Sequence, residues 1–133
     1  MKTKLFAGAA AGLALIALSA PIFAHHSFAA EFDAARPVQM TGVVTKVEWE
    51  NPHVYFYMDV KDEATSKIVN WACEMGSPNA LTRQGWTRNT LKVGMKVAFE
   101  GTLAKDGSPK TNARNVTVDG KRLGAASSEG VTP

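Results

Sequence analysis

Two of the three histidines, His25 and His26, stand side by side, and the third, His53, follows the pair Asn51-Pro52. Adjacent imidazoles become a strong chelator if the chain starts at the first of them. A terminal amine has an ordinary pKa of about 8, low enough for Cu(II) to displace its proton. The amine and Nδ1 of His25 would then close a chelate ring, and an imidazole from His26 or His53 would fill another equatorial position. Nitrogen-rich tetragonal sites favour copper among the divalent metals. Glu48, Glu50 and Asp59 are carboxylates within the same stretch of sequence. Neighbouring residues of an extended chain point apart, so His26 and His53 are alternatives for the second imidazole. The plainer alternative is a solvated histidine pair and a His53 that only caps a strand.

The start of the mature chain decides between these readings. Lys2 and Lys4 precede an apolar run from Leu5 to Leu18, and Ser19-Ala-Pro-Ile-Phe-Ala24 ends in the small residue that a signal peptidase requires. Cleavage after Ala20 would leave a proline at the new terminus, so cleavage after Ala24 is expected. This makes residues 1–24 a signal peptide and His25 the first mature residue. Of the 15 basic residues two lie in the leader and none of the 12 acids does, which leaves a mature charge of +1. So small an excess argues against nucleic acid as a partner. No second apolar stretch is long enough to span a bilayer, and no cysteine ends the leader to carry a lipid. A periplasmic or secreted protein without a membrane anchor is therefore expected. The single cysteine, Cys73, excludes an internal disulfide, so a domain of this size depends on a well-filled apolar core.

The elements that must position these residues read mostly as strands. Residues 25–37 form an N-terminal arm in which Phe28 and Phe32, four apart, suit one helical turn, with Pro37 ending it. Residues 38–123 form the globular body. Val43, Val47 and Trp49 share one parity of a first strand and Met40 and Val44 the other, with Gly42 as an expected bulge. Val54, Phe56, Met58 and Val60 face one side of a second strand, and His53, Tyr55, Tyr57 and Asp59 the other. Val69, Trp71, Cys73 and Met75 alternate in a third. Ser77-Pro78 reads as an N-cap and first turn of a short helix that stops at Gly85. Val93, Met95, Val97 and Phe99 mark a fourth strand ending at Gly101. The turn Lys105-Asp-Gly-Ser-Pro109 leads to a last strand near Ala113–Val118. The tail, residues 124–133, lacks an apolar pattern and is expected to be disordered. Three strands, a helix and two strands is the order of a small five-stranded OB-like barrel, all-β with one short helix. An SH3-like barrel or an open α+β sheet is the alternative.

Other residue types offer weaker chemistry. Tyr55 and Tyr57 share a strand face with His53, an arrangement on which OB-type domains stack flat ligands; packing beneath the arm is the alternative. Trp49, Trp71 and Trp86 read as core residues. Cys73 shares its parity with apolar residues and is expected to be buried and inert. Ser27 beside His26 makes no convincing catalytic pair, and Arg83 and Arg88 around Gly85-Trp86 read as a solvated helix end rather than an anion site. No catalytic residue is assigned.

The sequence also resembles a family of small secreted bacterial proteins, the domain of unknown function DUF6152. The resemblance lies in His25-His-Ser-Phe-Ala-Ala-Glu-Phe-Asp33, Gly42-Val-Val-Thr-Lys-Val-Glu-Trp-Glu-Asn-Pro-His53, Trp71-Ala-Cys-Glu-Met-Gly-Ser-Pro-Asn-Ala-Leu81, Gly85-Trp-Thr-Arg88 and Ala104-Lys-Asp-Gly-Ser108. Cys73 departs from the aliphatic residue that the family pattern implies there, which weakens the case for a functional thiol. The resemblance implies secretion and a single domain, and it implies no activity. The expectation is a periplasmic or secreted binding or accessory protein with copper at His25, His26 and His53, serving an envelope protein or small ligand. Two alternatives stand beside it. One is a metal-free module that recognises a protein or small ligand through Tyr55 and Tyr57. The other is a small copper enzyme, which needs the same histidines and an open coordination position.

Overall fold

The structure is a computed structural model that describes residues 28–129. The leader, His25, His26 and Ser27 lie outside the described residues, as do residues 130–133. Helix α1 (Phe28–Glu31) runs directly into strand β1 (Phe32–Glu48), followed by β2 (Tyr55–Lys61), β3 (Ile68–Glu74), helix α2 (Pro78–Arg83), β4 (Lys96–Ala104), β5 (Lys110–Val118) and β6 (Lys121–Gly124). The sheet order is β3-β2-β1-β4-β5-β6, and β3 also pairs in parallel with β5 through Ala72–Glu74 and Lys110–Asn112. That extra pairing closes β1, β2, β3, β5 and β4 into a ring, which is the connectivity expected of an OB-like domain. The expected count of five strands is short by one, because β6 adds to the free side of β5.

The 17-residue β1 serves both sides of the ring, pairing with β2 through Val43–Glu48 and with β4 through Phe32–Val43. Its register shifts fall between Phe32 and Pro37 against β4 and between Val44 and Lys46 against β2, not at Gly42. Gly42 has a different reason to be glycine: a Cβ there would lie 2.4 Å from the Asp59 carbonyl oxygen. Pro37 does not end a helix but sits within β1 opposite Thr102. The helical turn ends earlier, where the Phe28 and Phe32 rings stack at 5.5 Å.

The core follows the β2 parity. Val54, Phe56 and Met58 are buried with Val44, Cys73, Met75, Leu81, Trp86, Val97, Phe99, Ala113 and Val116. Val60, Trp49 and Trp71 are half-buried and pack against this cluster. Val93 is exposed because the chain only becomes a strand at Lys96. Ser77 caps α2 by accepting from the Ala80 amide, and Gly85 follows the helix with φ +91°. The Trp86 indole N–H donates to the Gly124 carbonyl at 2.7 Å. Residues 124–129 are not a loose tail. Ala125 is buried and hydrogen-bonds Gly76 and Arg114, Ser127 donates to Asn112, and Glu129 pairs with Arg114. The seryl and glutamyl side chains find partners on β5, which is why a segment without apolar pattern is held.

Candidate functional site

One end of the ring carries a cleft of about 770 Å³ lined by residues from α1, the β1–β2 connection, β2, β3 and the β4–β5 turn, His53, Tyr55, Glu74 and Lys110 among them. The turn that brings His53 to its rim contains a cis Asn51–Pro52 peptide. At the floor lies Glu74, 5 % exposed although charged. A buried carboxylate is costly unless it is paired and hydrogen-bonded, and Glu74 has several partners. Tyr55, its cross-strand neighbour, donates its hydroxyl to Oε2. The Lys110 ammonium stands 3.6 Å from Oε2, and the Asn112 amide donates to Oε1 at 3.5 Å.

Lys110 reaches further. It forms an ion pair with Glu31 of α1, and its ammonium lies 5.4 Å from the centre of the Tyr55 ring and 5.6 Å from that of Phe32. Two carboxylates and two aromatic faces thus surround one internal cation. Burial, reinforced by the Glu74 carboxylate, pushes the Tyr55 hydroxyl well above the usual tyrosine range, so it stays a donor at any physiological pH.

His53 is half-buried, and its Nδ1 lies 3.1 Å from the Met75 carbonyl oxygen and 3.8 Å from Glu74 Oε1. A carbonyl can only accept, so Nδ1 carries the hydrogen. In the neutral ring Nε2 is then left with the lone pair, the state a metal-binding histidine requires. Glu50 lines the same cleft. Glu48 also lines it but is engaged by Lys46 and by the Tyr57 hydroxyl at 2.9 Å, and these contacts hold its carboxyl below the usual range. Asp59, the third carboxylate considered for the site, accepts from Asn70 at 2.8 Å and does not line the cleft.

Tyr55 and Tyr57 lie together as expected, their rings 6.4 Å apart and 27° from parallel. Their faces are covered, however, by Lys110 and by Lys46, the latter 5.2 Å from the Tyr57 ring centre. Cys73 is buried, and that burial pushes its thiol up to about 12. Arg83 and Arg88 are both exposed. Among the described residues no three His, Cys, Asp or Glu side chains group as a metal centre, and no helix is long and apolar enough to cross a membrane.

Glu31, Glu74, Lys105, Asp106 and Lys110 also line the cleft and were not legible as site residues. Glu74 falls on the outward parity of β3, where acids are ordinary. Its one signal is position: a single charge enclosed by Trp71-Ala-Cys and Met75-Gly76. A family model described as a family of unknown function, DUF6152, matches residues 12–114, which include every residue lining the cleft. No curated protein matches the chain.

Proposed function

The chain belongs to the family of unknown function DUF6152, which brings no activity with it, and we propose that the protein is a small binding or accessory protein of the cell envelope that holds a copper ion beside the His53 cleft. In this reading the leader exports the chain to the periplasm or beyond, cleavage exposes His25, and the His25 amine and imidazole bind the metal together with His53 or His26. A partner in the envelope supplies or receives the ion.

The observation that carries the reading is the Nδ1 contact of His53 with the Met75 carbonyl, which fixes the tautomer and leaves Nε2 as the base. The start of the arm supports it. Ala30 and Glu31 line the cleft, and three residues of extended chain span at most roughly 10 Å, which bounds the distance between His25 and Phe28. The cleft also carries more acidic than basic side chains, Glu31, Glu48, Glu50, Glu74 and Asp106 against Lys105 and Lys110, a balance that favours a cation. Recognition of a flat ligand on the Tyr55/Tyr57 face is the less supported reading, because such a ligand must first displace Lys46 and Lys110 from the two rings.

The test is a Cu(II) titration of processed protein beginning at His25, compared with a peptide of residues 25–33 and with protein carrying one extra residue before His25. Tighter binding by the folded protein than by the peptide, lost in His53→Ala and on extending the terminus, is the expected result. Equal affinity of protein and peptide would remove the barrel from the site.

A further inference from the structure

Segment 125–129 is held by a polar receptor built on β4 and β5. Ala113 and Asn115 pair with the consecutive residues Gly101 and Glu100, so Arg114 between them is the extra residue of a β-bulge, a feature that re-aims a side chain. Its guanidinium donates through Nε and Nη2 to one carboxylate oxygen of Glu129, at 2.9 and 2.6 Å, and through Nη2 to the Thr102 hydroxyl at 3.3 Å. The Thr102 hydroxyl in turn donates to the same carboxylate oxygen at 3.5 Å. Asn112, opposite Thr102 in the ladder, accepts from the Ser127 hydroxyl and donates to that of Ser128 at 3.4 Å. Thr102 and Asn112 are buried although polar, and neither they nor Arg114 line the His53 cleft.

The occupant is held less firmly than the receptor is built. Ala125 is buried and fixed by two backbone hydrogen bonds, to Gly76 and Arg114. After it, Ala126 takes φ +49°, a left-handed conformation that is unfavourable for a residue with a Cβ. Residues 126–129 are all half-buried, and Arg114 is exposed. An ion pair of this exposure holds weakly and is screened by salt.

From this arrangement we infer that Thr102, Asn112 and Arg114 form a binding site for an acidic side chain on a serine-bearing peptide segment of a partner protein. The chain's own Ser127-Ser128-Glu129 fills that site as an internal competitor. The receptor belongs to the strand ladder, whereas the occupant is strained at Ala126 and partly open to water. A partner segment that presents hydroxyls and a carboxylate without that strain makes the same bonds. The tethered Glu129 acts at roughly millimolar effective concentration, so it weakens partner binding and does not abolish it. Peeling residues 126–129 away leaves Ala125 and β6 in place. The inference goes beyond the copper reading and does not depend on it.

The probe is the acetylated and amidated peptide Ala-Ser-Ser-Glu, with Ala-Ser-Ser-Gln as its control, titrated into the full chain and followed by NMR at the Arg114 Nε–H. Ser127→Gly, Ser128→Gly and Glu129→Gly made together release the segment without shortening the chain. The released variant should bind the Glu peptide with a saturable shift of the Arg114 signal and keep most of the thermal midpoint of the barrel. Wild type should bind that peptide about tenfold or more weakly, because its own Glu129 competes. The Gln peptide should also bind about tenfold or more weakly, because hydrogen bonds to an ionised acceptor are the stronger ones. Adding Arg114→Gln to the released variant should remove the response. No saturable shift in the released variant overturns the site and leaves segment 125–129 as a structural strap. Equal affinity for the Glu and Gln peptides overturns the carboxylate as its ligand, and equal affinity of wild type and released protein overturns the internal competition. Should the triple variant fail to fold, Glu129→Ala carries the same comparisons at the Arg114 signal, with the same outcomes deciding them.

Discussion

Tyr55 and Glu74 face each other across β2 and β3, and the Tyr55 hydroxyl donates to the buried carboxylate it opposes. The pair ties the side of β2 that faces away from the core to the floor of the cleft. Replacing Tyr55 with Phe leaves the ring and takes away one donor from an acceptor that is only 5 % exposed. Removing a partner from a buried acceptor costs about 1–3 kcal/mol, and urea unfolding at pH 7 should show a loss in that range. The pH dependence gives a second reading. Burial and the Glu74 contact raise the Tyr55 pKa in the folded state, so above the ordinary tyrosine value of about 10 the unfolded chain gives up a proton that the folded chain keeps. The stabilisation is complete below that pH and declines as pH rises through it. The Tyr55→Phe protein should therefore lose less stability between pH 9 and 11 than wild type; parallel curves would show that the hydroxyl is not held.

Phe56 is fully buried and meets Phe99 edge-on, with ring centres 6.2 Å apart. Tyr57, one residue on, is half-buried against Lys46 and Glu48. Phe56→Ala should cost about 3–5 kcal/mol, a large share of the stability of a small domain, and Tyr57→Ala far less. Chemical denaturation of the two variants measures the contrast. Similar losses would mean that β2 is buried on both faces.

This contrast also marks what the sequence could convey. Strict alternation from Val54 to Met58 made the inward face of β2 readable, and the Ser77-Pro78 cap with Gly85 made α2 readable, because both signals are local. Gly42 was noticed but misread: its cause is the Asp59 carbonyl on the neighbouring strand, a contact that no pattern within β1 contains. The same holds for the cleft. His53 and Tyr55 stand out by residue type, whereas Glu74 and Lys110 become site residues only because β3 pairs with β5 in parallel and α1 folds back over the turn before β5. Strand β6 escaped notice because its four residues, paired with Asn115–Val118, are too few to show a periodicity, and the held segment 125–129 because its partners, Arg114 and Asn112, are polar.

Gly42→Ala should be one of the more damaging small substitutions in the chain. The added methyl would sit 2.4 Å from a backbone oxygen of β2 and 3.0 Å from a Val60 methyl. Backbone cannot swing aside as a flexible side chain can, so the β1–β2 register has to give. Overpacking of this kind costs about 1–3 kcal/mol. A midpoint in urea equal to that of wild type would mean that the two strands are less closely opposed than described.

Cys73 should be chemically silent in the folded protein. Its thiol is buried on β3 opposite Thr111, and desolvation, only partly offset by the Thr111 hydroxyl, pushes it up to about 12. The thiolate is the reactive form, so a disulfide reagent at pH 8 should modify the protein only as fast as it unfolds, with rates that climb with denaturant. Rapid stoichiometric labelling under native conditions would show an open path to β3.

The pH dependence of copper binding is the most direct probe of the ligand set. Each imidazole and the terminal amine must be deprotonated to bind, so affinity should fall as pH drops, steeply below about 6.5 where ordinary histidines protonate and more gradually between there and about 8 where an α-amine does. The direction is the same for any nitrogen site, and the variants separate the geometries. If His25 and His53 share the ion, His53→Ala should weaken binding and reduce the number of protons released per copper at pH 6, while His26→Ala changes little. If the first two residues chelate alone, His26→Ala carries the loss and His53→Ala is neutral. Calorimetric titrations in buffers of different ionisation enthalpy count the released protons directly. Should neither variant differ from wild type in affinity or in proton release, neither of the two histidines beyond His25 takes part, and the tautomer fixed by the Met75 carbonyl serves only to hold His53 at the end of its strand.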